Sequence, residues 1–379
     1  MNRFLEGVSL TGEVQEKLKV ATRNTVEVVT VEELSKLLLE GEKPRGYLGF
    51  EPSGLVHVGW LVWMLKVKDL VELGVDFHIL EATWHAYIND KLGGDLELIR
   101  KAARYTRRVL EALGVPETRV KYVDAEDLVS DKRYWEILIK SAKKTSLARV
   151  KRALTIMGRT ADEAETDFSK LIYPLMQVTD IFYLDLDIVL GGIDQRKAHM
   201  LARDLAEKLG FKKPVAIHTP LITSLRGPVR KQPLQVEKTP EFELDDVASE
   251  VKMSKSKPET AIFVHDPPDD VRAKVMNAYC PPRTVLFNPI VEINKYLLFQ
   301  QPGFILHIDR PSKYGGPIDV YSADELEALY IKGEIHPLDL KNATADALVN
   351  MLRDIQAKLF SNRETVKLIE ELKQARITR

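Results

Sequence analysis

The chain has 379 residues, of which 45% are hydrophobic and 29% charged, with a formal net charge of −1. This excludes a disordered chain and leaves room for two or three domains. It also excludes a global basic field, so any contact with nucleic acid must use local patches. The single cysteine, Cys280, excludes an intrachain disulfide, and the eight histidines show no metal-ligand spacing, so no structural metal site is expected.

The opening stretch, MNRFLEGVSLTGEVQEKLKV, carries acids from Glu6 onward and no long apolar block, which argues against a secretory signal. No run of about 18 apolar residues occurs, so no membrane contact is expected and the expected address is cytoplasmic. The apolar spacing of VEELSKLLL (31–39) predicts a helix. RGYLGF (45–50) predicts the first strand, and the turn EPSG leads into a helix through Leu73, stopped by Gly74. DFHILEA (76–82) predicts a second strand, DLELIRKAARYTRRVLEALG (95–114) an amphipathic helix, and VKYVDA (120–125) a third strand. Residues 127–183 read as mostly helical. A further strand, LDIVLGG (186–192), and a helix over DQRKAHMLARDLAEKLG (194–210) follow. This alternation predicts an α/β fold with a doubly wound parallel sheet. Residues 226–260 are polar and charge-rich, and from about 270 the pattern is helical, which predicts an α-helical C-terminal domain.

Four stretches could carry chemistry. PSGLVHVGW (52–60) sets Ser53, His57 and Gly59 at the mouth of a helix. Free N–H groups there attract phosphate, and glycine lets a ligand approach the backbone, so a nucleotide site is one reading. A capped helix start with a solvated histidine is the other. KMSKSK (252–257) puts three lysines in a loop, where they can neutralise a departing pyrophosphate or simply be solvated. In LIYPLMQVTDIFYL (171–184), Tyr173, Gln177 and Asp180 share one helical arc. They need either a polar ligand or an internal network. GGIDQRK (191–197) places Asp194 after a strand, positioned for ribose hydroxyls or for capping a helix.

Taken in order, these pieces resemble a class I aminoacyl-tRNA synthetase. YLGFEPSGLVHVGW, LIYPLMQVTDI, GGIDQRKAHMLARDL, AYCPP and HPLDLKNA narrow the resemblance to the archaeal or eukaryotic-type tyrosyl-tRNA synthetases, over roughly residues 30 to 345. The resemblance implies a Rossmann-like doubly wound sheet with a helical insertion, followed by a helical domain. The boundaries are then an N-terminal extension at 1–30, a catalytic domain at 31–225 with its insertion about 120–175, a KMSKS region at 226–265, and an anticodon-binding domain at 266–379. It implies activation of L-tyrosine by ATP with magnesium, transfer to the 3′-terminal adenosine of tRNA(Tyr), and a homodimer joined through the insertion.

By the same resemblance Tyr47 and Asp180 bind the phenolic hydroxyl, while Tyr173, Gln177 and Gln195 hold the α-amino group and backbone. Phenylalanine would leave Tyr47 and Asp180 unpaired; its rejection by enzymes of this family is itself the reference case for such selectivity, about 10⁵-fold. His57, Gly59 and Trp60 fill the His-x-Gly-His positions for ATP, with Gly49 nearby. Ser53 matches a hydroxyl residue near the γ-phosphate, and Gly192 and Asp194 match ribose contacts. Lys252, Met253, Ser254, Lys255 and Ser256 match KMSKS. The catalytic set is therefore His57, Lys252, Lys255 and Ser53.

For tRNA, Arg196 and Lys197 stand where the archaeal branch reads the first acceptor-stem pair. Arg152 ends KSAKKTSLARVKR (140–152), which carries six positive charges and no acid. Tyr314 and Asp339 match the residues that stack on and hydrogen-bond the first anticodon base. Three features depart from the pattern: Trp60 replaces the second histidine, residues 226–251 are longer than the loop needs, and about thirty residues precede the first expected helix. Trp60 is expected to stack on or wall the adenine. A tryptophanyl-tRNA synthetase and a non-catalytic tRNA-binding relative are the alternatives.

Overall fold

The computed structural model describes residues 12–39, 43–157, 167–228, 247 and 250–375. The chain forms two compact units. One comprises Met1–Gly54, Trp63–Pro220 and Lys367–Arg379, the other Leu55–Val62 and Leu221–Val366.

The first unit is built on α1 (Gly12–Thr22), β1 (Glu27–Val29), α2 (Val31–Leu39), β2 (Arg45–Phe50), most of α3 (Val58–Glu72), β3 (Asp76–Glu81), α4 (Thr83–Ile88), α5 (Leu96–Ala112) and β4 (Val120–Asp124). The helical excursion follows as α6 (Ala125–Val129), α7 (Lys132–Lys143), α8 (Leu147–Ala153) and α9 (Ser169–Tyr183). Then come β5 (Ile188–Gly192), α10 (Arg196–Leu209) and β6 (Val215–Thr219). The sheet order is β1-β6-β5-β2-β3-β4. Every pair from β6 to β4 is parallel, and β1 closes the edge antiparallel to β6. The chain winds from β2 outward to β4, then returns to β5 on the other side of β2. That reversal opens a crevice at the carboxyl ends of β2 and β5, where ligands bind in sheets of this kind.

Local signals place most of these elements. Asp95 caps α5 by accepting from the N–H groups of Glu97 and Leu98. Gly74 and Gly210 end α3 and α10 with positive φ, which glycine adopts without a Cβ penalty. The expected strands at 45–50, 76–82, 120–125 and 186–192 are all present, but 45–50 is the second strand. β1 and β6 are additions to the reading. β1 has only three residues and exists through its pairing with β6, from Glu27–His218 to Val29–Ala216.

Residues 12–30, part of the expected extension, are built into this unit. The Lys66 ammonium donates to the carbonyls of Val20 and Ala21 at the end of α1 (3.0 and 3.3 Å) and to Asp69 (2.8 Å). Burial lowers its pKa to about 8 against the pull of Asp69. Arg23 pairs with the same Asp69.

The second unit contains α11 (Pro268–Asn277), α12 (Pro289–Tyr296), α13 (Ala323–Lys332) and α14 (Pro337–Phe360), and the first residues of α15 (Arg363–Gln374). It is helical as expected, with one antiparallel ribbon in addition, β7 (Leu306–Ile308) with β8 (Ile318–Val320). The compact units cut across the expected linear boundaries. Residues 55–62 pack with the second unit because Val58 N–H donates to Ile262 and Val264 N–H to Val56 (2.8 and 3.0 Å). The end of α15 joins the first unit, where Glu371 pairs with Lys101 at 3.0 Å. Most of the long 226–251 segment lies outside the described residues. Among the described residues no helix is long and apolar enough to cross a membrane.

Candidate active site

In the first unit Tyr47, Tyr173, Gln177, Asp180 and Gln195 line one pocket. Gly49, expected beside ATP, lines it too, as do Glu51 and His85. A Cβ at position 49 would lie 2.4 Å from the Tyr47 hydroxyl, so only glycine lets that ring lie along β2. On α9, Tyr173, Gln177 and Asp180 face the pocket from successive turns, as their spacing predicts.

One group of contacts is organised around Asp180, 1% exposed. Its Oδ1 accepts from the Tyr134 hydroxyl at 2.8 Å. Its Oδ2 lies 3.1 Å from His85 Nε2 but out of line for a hydrogen bond, and so makes none within the protein. Burial first, and the Asp180 charge second, push the Tyr47 and Tyr134 hydroxyls well above the usual phenol range. Both therefore stay protonated near neutral pH.

Elsewhere in the lining the Tyr173 hydroxyl donates to Glu51 Oε1 at 2.5 Å, and burial followed by the Glu51 charge keeps that phenol protonated. Asn89 Nδ2 also donates to Glu51. Gln177 Nε2 donates to Gln195 Oε1 (3.3 Å), and Gln195 Nε2 to the Ile156 carbonyl (3.2 Å). Gln177 Oε1 is left buried without a hydrogen bond. Buried polar atoms seldom stay unpaired. Here two unpaired acceptors, Asp180 Oδ2 and Gln177 Oε1, face one pocket. The complement is a ligand that brings two separate donors.

The second unit holds the helix mouth and the lysine loop. His57 is buried, and its Nδ1 makes no hydrogen bond within the protein. Burial, then Lys255 and Lys252, hold its pKa well below the usual imidazole range, so the ring is neutral. A Cβ at Gly59 would meet His57 Nδ1 at 2.9 Å, so this glycine makes room for the histidine as well as for a ligand. The loop is not a solvated tail. Met253 and Lys255 are buried, and Met253 N–H donates to the Ile222 carbonyl at 2.7 Å. Lys252 bridges to Thr223, whose N–H and hydroxyl both donate to the buried carboxyl of Glu292 (2.6 and 3.0 Å). Burial raises the pKa of Glu292 to about 7, against the lowering effect of those bonds. The Ser254 and Ser256 hydroxyls are 2.7 Å apart. The Lys255 ammonium stands 3.5 Å from the centroid of the Trp60 ring. Ser53 is half-buried in the turn after β2, within the first unit's share of the chain.

Gly192 ends β5 and Asp194 follows it, and Asp194 is not the capping residue of either turn there. Gly191 is needed because a Cβ would meet His199 at 2.9 Å and Gln195 at 3.0 Å. Arg196 is held by Glu27 of β1 through three contacts of 2.9–3.0 Å. Glu27 also meets His218 Nδ1 at 2.7 Å, and His218 Nε2 meets His199 Nδ1 at 3.0 Å. Burial works against Glu27, but His218 and Arg196 hold its carboxyl at a pKa of about 2. Lys197 is half-buried beside Arg196.

Of the basic run 140–152, Lys140, Lys143, Lys144 and Arg152 are exposed, while Arg149 pairs with Asp204. In the second unit Tyr314 is 64% exposed. Asp339 stands half-buried in the first turn of α14. Arg310 donates to the carbonyls of Gly316 and Glu334 (2.9 and 2.7 Å), tying the Tyr314 loop to the chain that enters α14.

His85 and Glu51 line the pocket and Tyr134 bonds Asp180, and sequence reasoning missed all three. Glu51 sat inside a quoted motif. Tyr134 and His85 lie on short helices far along the chain from Asp180, and nothing in their spacing pointed to it.

A family model described as tRNA synthetases class I (W and Y) matches residues 39–353. The tyrosine–tRNA ligase of Aeropyrum pernix is 61% identical over 367 residues, 97% of this chain and 99% of that protein. That of Sulfurisphaera tokodaii is 57% identical, covering 96% of this chain and 98% of its own. Among solved structures, the tyrosyl-tRNA synthetase from Aeropyrum pernix superposes with a TM-score of 0.84 at 56% identity, over 95% of this chain and 99% of that one. A tyrosyl-tRNA synthetase from Archaeoglobus fulgidus, solved with L-tyrosine, gives 0.79 at 38% identity, over 91% and 99%.

Proposed function

The chain belongs to the class I tRNA synthetases of the W and Y family and ligates tyrosine to tRNA, and we propose how its residues divide that work. Tyr47 and Asp180 recognise the phenolic hydroxyl of L-tyrosine, with Tyr134 holding Asp180. Tyr173, Gln177 and Gln195 receive the α-amino group, with Glu51 behind Tyr173. The observation that carries this reading is the pair of unsatisfied acceptors, Asp180 Oδ2 and Gln177 Oε1, in the lining of one pocket. Tyrosine brings a hydroxyl donor and an ammonium at its own two ends. The single N–H of an indole stands elsewhere, which disfavours the tryptophanyl alternative.

ATP is the second substrate, and it carries magnesium. We assign its triphosphate to Lys252, Lys255, Ser254 and the backbone of Met253, with Ser53 and the turn at His57 and Gly59. Gly192 and Asp194 take the ribose. The tyrosine carboxylate attacks the α-phosphorus. The bond from the α-phosphorus to its bridging oxygen breaks, and pyrophosphate leaves with the electron pair. The carboxylate is already ionised, so no general base is needed, and catalysis is positioning plus charge stabilisation. His57, being neutral, contributes a hydrogen bond rather than a charge. The retained lysines also speak against a non-catalytic relative. The 3′-terminal adenosine hydroxyl of tRNA(Tyr) then displaces AMP from the adenylate.

For tRNA we assign Arg196, Lys197 and Arg152 to the acceptor stem, and Tyr314 and Asp339 to the anticodon. Trp135, Ile139 and Leu147 are exposed apolar residues on α7 and α8, which supports a homodimer formed through this insertion. The deciding experiment is amino-acid-dependent pyrophosphate exchange by Asp180→Asn. Losing the charged acceptor should lower the preference for tyrosine over phenylalanine by about tenfold to a hundredfold. Unchanged discrimination would overturn the assignment of Asp180.

A further inference from the structure

The residue that departs from the family motif touches one of the residues expected to be catalytic. Trp60 lies in the first turn of α3 and Lys255 in the lysine loop, both within the second unit. The ammonium sits 3.5 Å from the ring centroid, and Lys255 is 6% exposed. A cation over an indole face is held most strongly when it has lost its water. The His57 ring lies beside the same indole, its centroid 6.2 Å from that of Trp60. Burial first, then Lys255 and Lys252, lower the pKa of that histidine, so two positive charges act on it.

We infer that Trp60 is a positioning residue for tyrosine activation, whose indole face holds the Lys255 ammonium in place without cancelling its charge. A carboxylate in that position would bind the ammonium too, but it would neutralise the charge that a departing pyrophosphate requires. An aromatic face attracts a cation through its quadrupole and carries no formal charge. The lysine is then preorganised, with none of its charge offset by the ring, when negative charge develops. A histidine at position 60 has a smaller ring and, once protonated, would repel the ammonium. This assignment replaces the expected role of Trp60 as a wall for adenine on the ring face that Lys255 covers.

The inference rests on Lys255 acting on the triphosphate, and a double-mutant cycle in pyrophosphate exchange separates the two claims. Trp60→Leu keeps apolar bulk and removes the quadrupole, so kcat should fall about tenfold with the KM for tyrosine unchanged. Trp60→Phe, which retains an aromatic face, should stay within about threefold of the parent. In a Lys255→Ala background, Trp60→Leu should cost less than about twofold more, because the interaction is already gone. An equal tenfold cost in both backgrounds overturns the inference, and so does a large rise in rate for Trp60→His. If Lys255→Ala alone stays within about threefold of the parent, the underlying reading of Lys255 fails instead. Thermal unfolding of each variant checks folding, and Trp60→Met enters the cycle if Trp60→Leu does not fold.

Discussion

The pocket of the first unit and the turn and loop of the second are built with opposite deficits. The pocket ends in acceptors that lack donors: Asp180 Oδ2 and Gln177 Oε1 are buried and unpaired. The second unit gathers cations, with burial first and then Lys255 and Lys252 keeping His57 neutral. An acceptor-rich pocket selects a ligand by what that ligand donates, so its residues should govern which amino acid binds and how tightly. A cation-rich loop meets charge that grows as pyrophosphate departs, so its residues should govern rate. Recognition and acceleration are thus assigned to different units of one chain, and each assignment can be attacked separately.

The largest effect is expected at Lys255. Lys255→Ala should slow activation by about 10²–10³-fold in kcat, or 3–4 kcal/mol, with little change in the KM for tyrosine. An effect on KM alone, in single-turnover and exchange assays, would erase the contrast between the units.

Next comes Glu292, which holds Thr223 beside Lys252. Its folded pKa of about 7 lies above its ordinary value of 4.5, so between those pH values the folded state binds more protons than the unfolded chain. Its contribution to stability is fully present below pH 4.5 and is lost as pH rises through about 7. Glu292→Gln should remove that decline, worth up to roughly 3 kcal/mol, in denaturant midpoints measured across the range. Parallel pH profiles for parent and variant would show that the buried acid does not load the loop.

A smaller change is expected in the pocket. Gln177→Leu should raise the KM for tyrosine about tenfold while kcat falls less, the scale of one hydrogen bond to a charged group. A kcat effect exceeding the KM effect would place Gln177 with the accelerating groups. The smallest expected effect tests whether the second unit carries two separable tasks. Asp339→Ala should weaken aminoacylation of tRNA several-fold, about 1 kcal/mol, and leave pyrophosphate exchange nearly intact. Equal losses in both assays would defeat the anticodon assignment.

Much of the site was legible because its parts are local. Tyr173, Gln177 and Asp180 share an arc through helix periodicity alone, and KMSKS needs no alignment of distant segments. Glu51 was readable in principle, since it opens the turn that carries Ser53. Tyr134 and His85 were not, because Asp180 meets them only when α7 and α4 pack against α9. The edge strand β1 was missed for a related reason. Three residues have no period, and Glu27–Val29 become a strand only beside β6.

From the sequence alone followed the alternation of strands and helices, the helix stops at Gly74 and Gly210, and the residues whose order resembles a tyrosine-activating enzyme. These depend on backbone propensity and on side chains a few positions apart. Tertiary structure decided which acceptors are left without donors, which acid holds Thr223, and what Trp60 faces. Each of those depends on burial and on contacts between segments distant in the chain, such as the indole of position 60 beneath the ammonium of position 255. Hydrogen-bond deficits and pKa shifts exist only once water has been excluded, and that exclusion is a property of the folded chain.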